Sequence, residues 1–536
     1  MPVRIVKDDD QPEDGGSNNR GGGGSSGVGG LGTIISLLLP FLLRNPKLAI
    51  AVLVIGGAIY FLMPSGNSGM APAPTVDESP TAGGKGLGCK LNRVEFDKAQ
   101  VFEPLAPGSL PRSISLERYA PRAGDQGQQG SCTAWATAYA ARTIQESVSK
   151  GADPNEIAFS PSYLYNQLTN GSCTGTSIRA AMELVKKQGL VPLQEFPYND
   201  QECDRRPNAT LREQAQQFRL LGYNRLTQNG DDYRVDLNAI KQNLAQGAPV
   251  VIGMLVGGSF YRMQGKKLWQ PTQQDFDAMQ RSRGASIVND GAEAGFGGHA
   301  LCVIGYDDDY EGGAFQIQNS WGPDWGERGN FWMRYRDFEI FTNELGGEAY
   351  GLYPMPKANR DAVDFKATVG LVVNQTKQYI PVNYQSGSTF VTQQAVPKQT
   401  KFKIEVTNSI ECYTYVLGQE TDGSSYVLFP YTAKHSPYCG IVGQRLFPKD
   451  YSMQLDDKGT TDYMAVLLTK KELDVKALND RVNAARAATY EAKLKEALGQ
   501  VSISNVQFQG GQNVGFAVPA AEKADAVLVV FAINKK

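Results

Sequence analysis

A run rich in glycine and glutamine ends in a cysteine on the threshold of an alanine-rich helix: Asp125-Gln126-Gly127-Gln128-Gln129-Gly130-Ser131-Cys132-Thr133-Ala134-Trp135-Ala136. This stretch restricts the fold more than any other. The loop must turn tightly, and the helix that continues to Ile144 must begin at the sulfur. The backbone N–H groups at that end have no intrahelical partner. Together with the helix dipole they favour a thiolate over a thiol. Gln126, a few residues upstream, can fold its side-chain amide back over the sulfur and donate to a developing oxyanion.

A thiolate nucleophile needs a base, and the base needs an orienting group. The search is short, because the chain has 2 histidines. His435 lies in the turn-like Lys434-His435-Ser436-Pro437 and is expected at the surface. His299 follows a glycine loop and enters an apolar run of strand character, Gly297-Gly298-His299-Ala300-Leu301-Cys302-Val303-Ile304. Downstream come Asn319-Ser320-Trp321-Gly322 and then Gly329-Asn330-Phe331-Trp332. Singly these residues are ordinary. A lone cysteine is most often a small buried hydrophobe, and a lone histidine a satisfied core or surface residue. Their order gives them a joint meaning.

The order Gln, Cys, His, Asn-Ser-Trp-Gly resembles the papain-like (C1) cysteine peptidases, whose nucleophile segment reads roughly Gln-Gly-x-Cys-Gly-Ser-Cys-Trp-Ala-Phe. The resemblance implies Cys132 as nucleophile, His299 as base, Asn319 as its orienter and Gln126 as oxyanion donor. It implies Trp321 as a shield over the Asn–His hydrogen bond, and a resting thiolate–imidazolium pair. Two positions depart from the family. Gln129 stands where a half-cystine is usual, and Thr133 where a tryptophan follows the nucleophile. Cys173-Thr174-Gly175-Thr176 and Phe196-Pro197-Tyr198 with Cys203 resemble two family segments joined by a disulfide. That likeness implies a Cys173–Cys203 bond and puts Gly175 and Thr176 beside the substrate cleft. Between these segments, Ser177 to Lys187 reads as an amphipathic helix closed by Gly189. Ala248 to Val256 begins a buried strand, and Gln264 to Gly298 reads as an insertion.

At 536 residues there is room for two or three domains. Net charge is −2, and no basic patch carries interleaved aromatics, so nucleic acid is not an expected partner. With no His-Glu-x-x-His and no paired Cys-x-x-Cys, no metal and no cofactor is expected. Residues 1–32 are read as a disordered Gly-rich leader. Residues 33–63 are read as a membrane segment, although Leu48 to Met63 falls short of the ~20 apolar residues that span a bilayer. Lys47 and Tyr60 would complete the span at its edges. Arg4, Lys7, Arg20, Arg44 and Lys47 precede it, and the next basic residue is Lys85. The charge rule then leaves the N-terminus in the cytoplasm and the rest outside a bacterial inner membrane, in a single pass. Residues 64–109 are read as a flexible tether. Its part from Gly86 to Ser109 is far shorter than the inhibitory propeptides common among such peptidases, so latency by that route is not expected.

The catalytic domain is expected over 110–353, a linker over 354–366 and a β-rich accessory domain over 367–536. Runs such as Phe402-Lys403-Ile404-Glu405-Val406 alternate as antiparallel strands do. Leu428-Phe429-Pro430 with Gly459-Thr460-Thr461-Asp462 resembles a domain of unknown function of bacterial envelope proteins. Cys412 and Cys439 are the candidates for a second disulfide. Lys471 to Leu498 reads as one long helix stopped by Gly499. The fold class is α+β, a papain-like domain of helical and β halves followed by a mostly antiparallel β domain. The expected function is a membrane-anchored cysteine protease acting on protein or peptide outside the cytoplasmic membrane. Two alternatives stay open, a silent peptide-binding protein on the same fold and a thiol acyltransferase or amidase of the cell envelope.

Overall fold

The computed structural model describes residues 1–8, 85–105, 110–229, 232–281, 296–355, 363–440, 442–449, 451–503 and 506–536. They fall in one compact unit, Met1–Asp8 with Glu78–Lys536.

The region expected over 110–353 divides into a helical half and a β half. A helix begins at Cys132–Ala134, widens into π turns over Trp135–Arg142 and ends as Thr143–Lys150. Alanines 136, 138, 140 and 141 are buried along it. Their small side chains let this helix lie close against the long strand Gly297–Asp307. Gly151 closes the helix at φ 66°, a conformation that costs glycine little. The helix Pro161–Thr169 starts with Ser160 accepting from the Tyr163 N–H and proline at its first position. Ile178–Gln188 is capped by Ser177 and stopped by Gly189, as its amphipathic pattern predicts.

The β half is one sheet ordered Tyr223–Arg225, Ala349–Leu352, Val250–Val256, Gly297–Asp307, Ala314–Gln318, Asn330–Arg334 and Leu268–Trp269. Ser113–Ser115 pairs with the outer end of Gly297–Asp307. That central strand is buried on both faces except at Asp307, which explains its near-continuous apolar run. The stretch read as an insertion holds the strand Leu268–Trp269 and a helix, Gln273–Arg281. Its remainder, 282–295, lies outside the described residues.

The C-terminal region is two packed sheets. One runs Val3–Lys7, Tyr451–Leu455, Lys401–Asn408, Phe365–Val373, Val514–Val518, Gln507–Gln509. The other runs Val382–Ser386, Thr389–Thr392, Ala526–Asn534, Thr461–Thr469, Cys412–Gln419, Ser425–Phe429. Val527, Val529, Phe531 and Ile533 of the last strand face the core between the sheets, while Ala526, Leu528 and Val530 face two helices outside. Those helices, Val475–Ala484 and Tyr490–Leu498, replace the single long one expected. The chain turns extended at Ala485, and Thr489 then caps the second helix by accepting from the Ala492 N–H. Cys412 and Cys439 face each other across the ladder without a disulfide between them, which corrects the expected second disulfide. The Cys439 sulfur is instead held 3.3 Å from the Thr414 hydroxyl and 3.7 Å from the Pro437 carbonyl.

The first residues are not a disordered leader. Val3–Lys7 is a strand paired antiparallel with Tyr451–Leu455, from Val3↔Leu455 to Lys7↔Tyr451. Tyr426 Oη fastens the Val3 backbone at both its N–H and its carbonyl, and Lys403 Nζ meets the Asp8 carboxylate at 2.7 Å. The single-pass placement in an inner membrane is therefore corrected. No helix among the described residues is long and apolar enough to cross a membrane. The segment 33–63 itself lies outside the described residues. A single crossing would put residues 3–7 and their partner strand on opposite sides of the bilayer, yet they share one hydrogen-bonded ladder.

Candidate active site

Helix start, glycine strand and Asn-Ser-Trp loop converge on one place. His299 and Cys132 are fully buried. His299 Nε2 lies 2.8 Å from Asn319 Oδ1, and the same oxygen accepts the Ser320 N–H at 2.8 Å. The second bond fixes which end of the amide carries oxygen, so Nε2 bears the proton and Nδ1 is the basic nitrogen. Nδ1 has no partner among the described residues. The next residue, Ala300, turns its N–H toward the Cys132 sulfur, so ring and sulfur flank one spot. Trp321 covers the imidazole at 4.8 Å between ring centroids and is itself walled by Phe260, Tyr261 and Trp325.

Gln126 is held from both sides. Its Oε1 accepts the Ser320 hydroxyl at 2.6 Å and its backbone N–H donates to the Ser320 carbonyl at 2.8 Å. Its Nε2 donates to Gln129 O at 2.8 Å and to Gly86 O at 3.0 Å. Ser320 thus aims the Gln126 side-chain amide. It stands within the Asn-Ser-Trp motif, but no feature of the motif alone assigns it a role.

The two departures from the family have local explanations. Gln129 does by hydrogen bonding what a disulfide would do. Its amide donates to Glu202 O at 3.1 Å, and its Oε1 accepts Tyr198 Oη at 3.0 Å. Thr133 pairs its hydroxyl with that of Thr176, tying the nucleophile helix to the opposite wall. Trp135 moves into the slot between Tyr139 and Tyr198. Cys173 and Cys203 are bonded, as the resemblance implies. His435 is not a surface residue. It is 5 % exposed, stacked on Tyr431, with Nδ1 2.9 Å from the Thr432 hydroxyl, and takes no part in this site.

The groove is filled by the chain itself. Residues 85–90, read as part of a tether, run through it. Gly86 donates to Gly127 O at 3.0 Å and gives its carbonyl to Gln126. Gly88 O accepts the Thr176 N–H at 2.8 Å, Lys90 N–H donates to Thr176 O at 3.0 Å, and Cys89 N–H donates to Gly298 O at 3.0 Å. Gly175 and Thr176 therefore both lie against this segment. The fit leaves no clearance, since a Cβ on Gly88 would lie 2.0 Å from Gly130 O. Burial pushes the Cys132 thiol up to about 11, against the pull of the N–H groups of Ala300, Gly88 and Thr133. It likewise pushes the His299 imidazole down to about 4, with the Asn319 hydrogen bond opposing. In this closed form the pair rests as neutral thiol and neutral ring, not as the expected ion pair.

Cys89 reaches a pocket whose base is Glu348, with Sγ 3.7 Å from Oε2. Burial pushes the Glu348 carboxyl up to about 8, so it is neutral at pH 7. The signal for it was a lone charged residue opening an otherwise apolar strand. Unfolded, Glu348 ionises near 4.5. Stability is therefore fully present below pH 4.5 and declines as pH rises toward 8, by up to about 5 kcal/mol. His299 acts oppositely. It ionises near 6.5 when unfolded, so its share is present above pH 6.5 and lost as pH falls toward 4, by about 3 kcal/mol. Glu348→Gln is accordingly expected to melt close to wild type at pH 5 and several degrees above it at pH 8. Thermal melts at both pH values check this, and equal offsets at both would contradict it.

Comparison with known proteins agrees with this geometry. Residues 113–354 match the family model described as papain family cysteine protease. An uncharacterized peptidase C1-like protein of Acanthamoeba polyphaga mimivirus is 30% identical over 222 residues, 40% of this chain and 64% of that protein. A cathepsin B-like protein of Giardia intestinalis is 26% identical over 261 residues, 48% of this chain and 78% of that one. Among solved structures, xylellain, a cysteine protease from Xylella fastidiosa, is 23% identical with TM-score 0.39, covering 51% of this chain and 97% of that one. The segment 113–354, which holds Cys132, His299 and Asn319 in one buried cluster, is thus the part of the chain that is similar to the papain family of cysteine proteases.

Proposed function

We propose that this chain hydrolyses peptide bonds of protein or peptide substrates through an acyl-enzyme on Cys132. His299 Nδ1 takes the thiol proton, and the sulfur attacks the scissile carbonyl. Gln126 Nε2 and the Cys132 N–H hold the oxyanion. The imidazolium protonates the leaving amine, and the neutral ring then draws a proton from water to release the acid. Asn319 keeps the proton on Nε2, so Nδ1 stays free to act. The observation that carries this reading is the 2.8 Å bond from His299 to an Asn319 oxygen whose orientation Ser320 fixes, beside a cysteine at a helix start.

Because the groove is filled, the test uses the full chain opened by Gly88→Val. Cleavage of a peptide library by this chain, and none by the same chain carrying Cys132→Ala, supports the reading. Labelling of Cys132 without any cleavage would replace it with a peptide-binding role. In the opened background Gln126→Ala is expected to lower kcat roughly 10²–10³-fold with little change in KM, the usual result of deleting one oxyanion donor. Steady-state kinetics on one cleaved peptide measures this, and a change confined to KM would argue against an oxyanion role.

A further inference from the structure

Residues 85–91 plug the groove, and we propose that the C-terminal domain holds this plug in place. The proposal rests on the peptidase reading of the same site. The plug meets the catalytic groups one by one. Gly86 O occupies Gln126 Nε2, Gly88 N–H faces the sulfur, and Cys89 N–H ties to Gly298, the residue before His299. Leu87 is 1% exposed and Lys85 is ion-paired with Asp125, so the segment is packed as well as hydrogen-bonded. It is also a poor substrate. The carbonyl in the oxyanion position belongs to Gly86, while the group against the sulfur is the amide N–H of Gly88. Acyl transfer needs the oxyanion and the electrophilic carbon from one carbonyl, whereas here Gly86 fills the oxyanion position and the Gly88 amide meets the sulfur.

Beyond the plug the chain leads straight into the seam between the domains. The helical turn Arg93–Phe96 rests on the peptidase, with Glu95 paired to Arg179 and Asp97 to Arg225. Val101 then lies between two strands as a bridge. On its peptidase side, Arg225 N–H donates to Gln100 O and Phe102 N–H to Arg225 O. On its other side, Val101 N–H donates to Lys434 O and the Ser436 N–H to Val101 O. Tyr353 stacks on Tyr438 at 3.8 Å, and Lys449 pairs with Asp236 at 2.8 Å across the same seam. The C-terminal domain therefore grips the plug's only described continuation, and loosening the seam would let the plug leave. This gives the accessory domain a regulatory role that its own surface chemistry does not suggest.

The test measures how fast Cys132 reacts with iodoacetamide at pH 7 in the full-length chain, by peptide mass mapping. Wild type is expected to react slowly. Gly88→Val, whose side chain collides with Gly130 O, should react at least roughly tenfold faster, since an exposed low-pKa thiol is the reactive form. Val101→Pro removes the donor to Lys434 and should shift the rate in the same direction. Wild type reacting as fast as Gly88→Val overturns the plug. A fast Gly88→Val beside a Val101→Pro equal to wild type overturns the role of the C-terminal domain. Fast labelling of Gly88→Val without peptide cleavage leaves the plug standing and removes the peptidase reading instead. Should Gly88→Val fail to fold, hydrogen exchange of wild type decides. The amides of Gly86, Cys89 and Lys90 should be protected as a packed strand is, and free exchange there overturns the proposal.

Discussion

Cys132→Ala in the opened chain is expected to lose peptide hydrolysis by roughly 10⁴–10⁶-fold in kcat, down to the level set by binding and the oxyanion donors alone. The free cysteine nearest in the groove, Cys89, leaves with the plug, and Cys302 is buried behind the strand with its thiol pushed far up by burial. His299→Ala should cost about as much, because nucleophile and base act as a unit and their losses do not add. Asn319→Ala should cost less and should shift the acid limb of the pH–rate profile, since it removes the bond that favours the charged ring. A residual rate in Cys132→Ala within tenfold of the parent would rule out the acyl-enzyme route altogether.

The second large effect concerns stability. Breaking the Cys173–Cys203 bond by Cys203→Ser is expected to destabilise the chain by about 3–4 kcal/mol, the loop-entropy value for a separation of 30 residues. The midpoint of urea unfolding should fall accordingly, and an unchanged midpoint would contradict it. The same bond anchors the turn that presents Gly175 and Thr176. Thr176 grips the plug through two backbone bonds and Thr133 through its hydroxyl. Cys203→Ser should therefore also speed labelling of Cys132 at urea concentrations well below the midpoint.

The candidate constellation was legible because its residues are chemically rare and fixed in order. With 2 histidines, one of them in a turn, the base could hardly be missed. The Cys173–Cys203 bond was legible only through resemblance, whereas the expected pairing of Cys412 with Cys439 rested on no such likeness, and the two lie opposite each other without a disulfide. The plug was not legible. Lys85-Gly86-Leu87-Gly88-Cys89 has no period and too few apolar residues to announce burial, and its partners at 126–130, 176 and 298 are remote in sequence. The break at 485–489 was hidden for a different reason. Alanine and arginine are good helix formers, so local propensity favours continuity, and the Thr489 cap with packing of Tyr490, Leu494 and Leu498 on the sheet decides otherwise. The Val3–Lys7 strand is similarly opaque, since nothing in five residues names a partner near residue 453.

That opening strand also bears on how the intact chain would respond to being cut. Its ladder, the Tyr426 clasp and the Lys403–Asp8 pair hold residues 1–8 without help from the peptide bonds that come after. A proteolytic nick anywhere between Asp8 and Lys85 would sever the backbone yet leave two pieces travelling together, separable in denaturant but not by size in native buffer. A band shift on a denaturing gel would then report a cleaved covalent thread, while the particle in solution kept its mass.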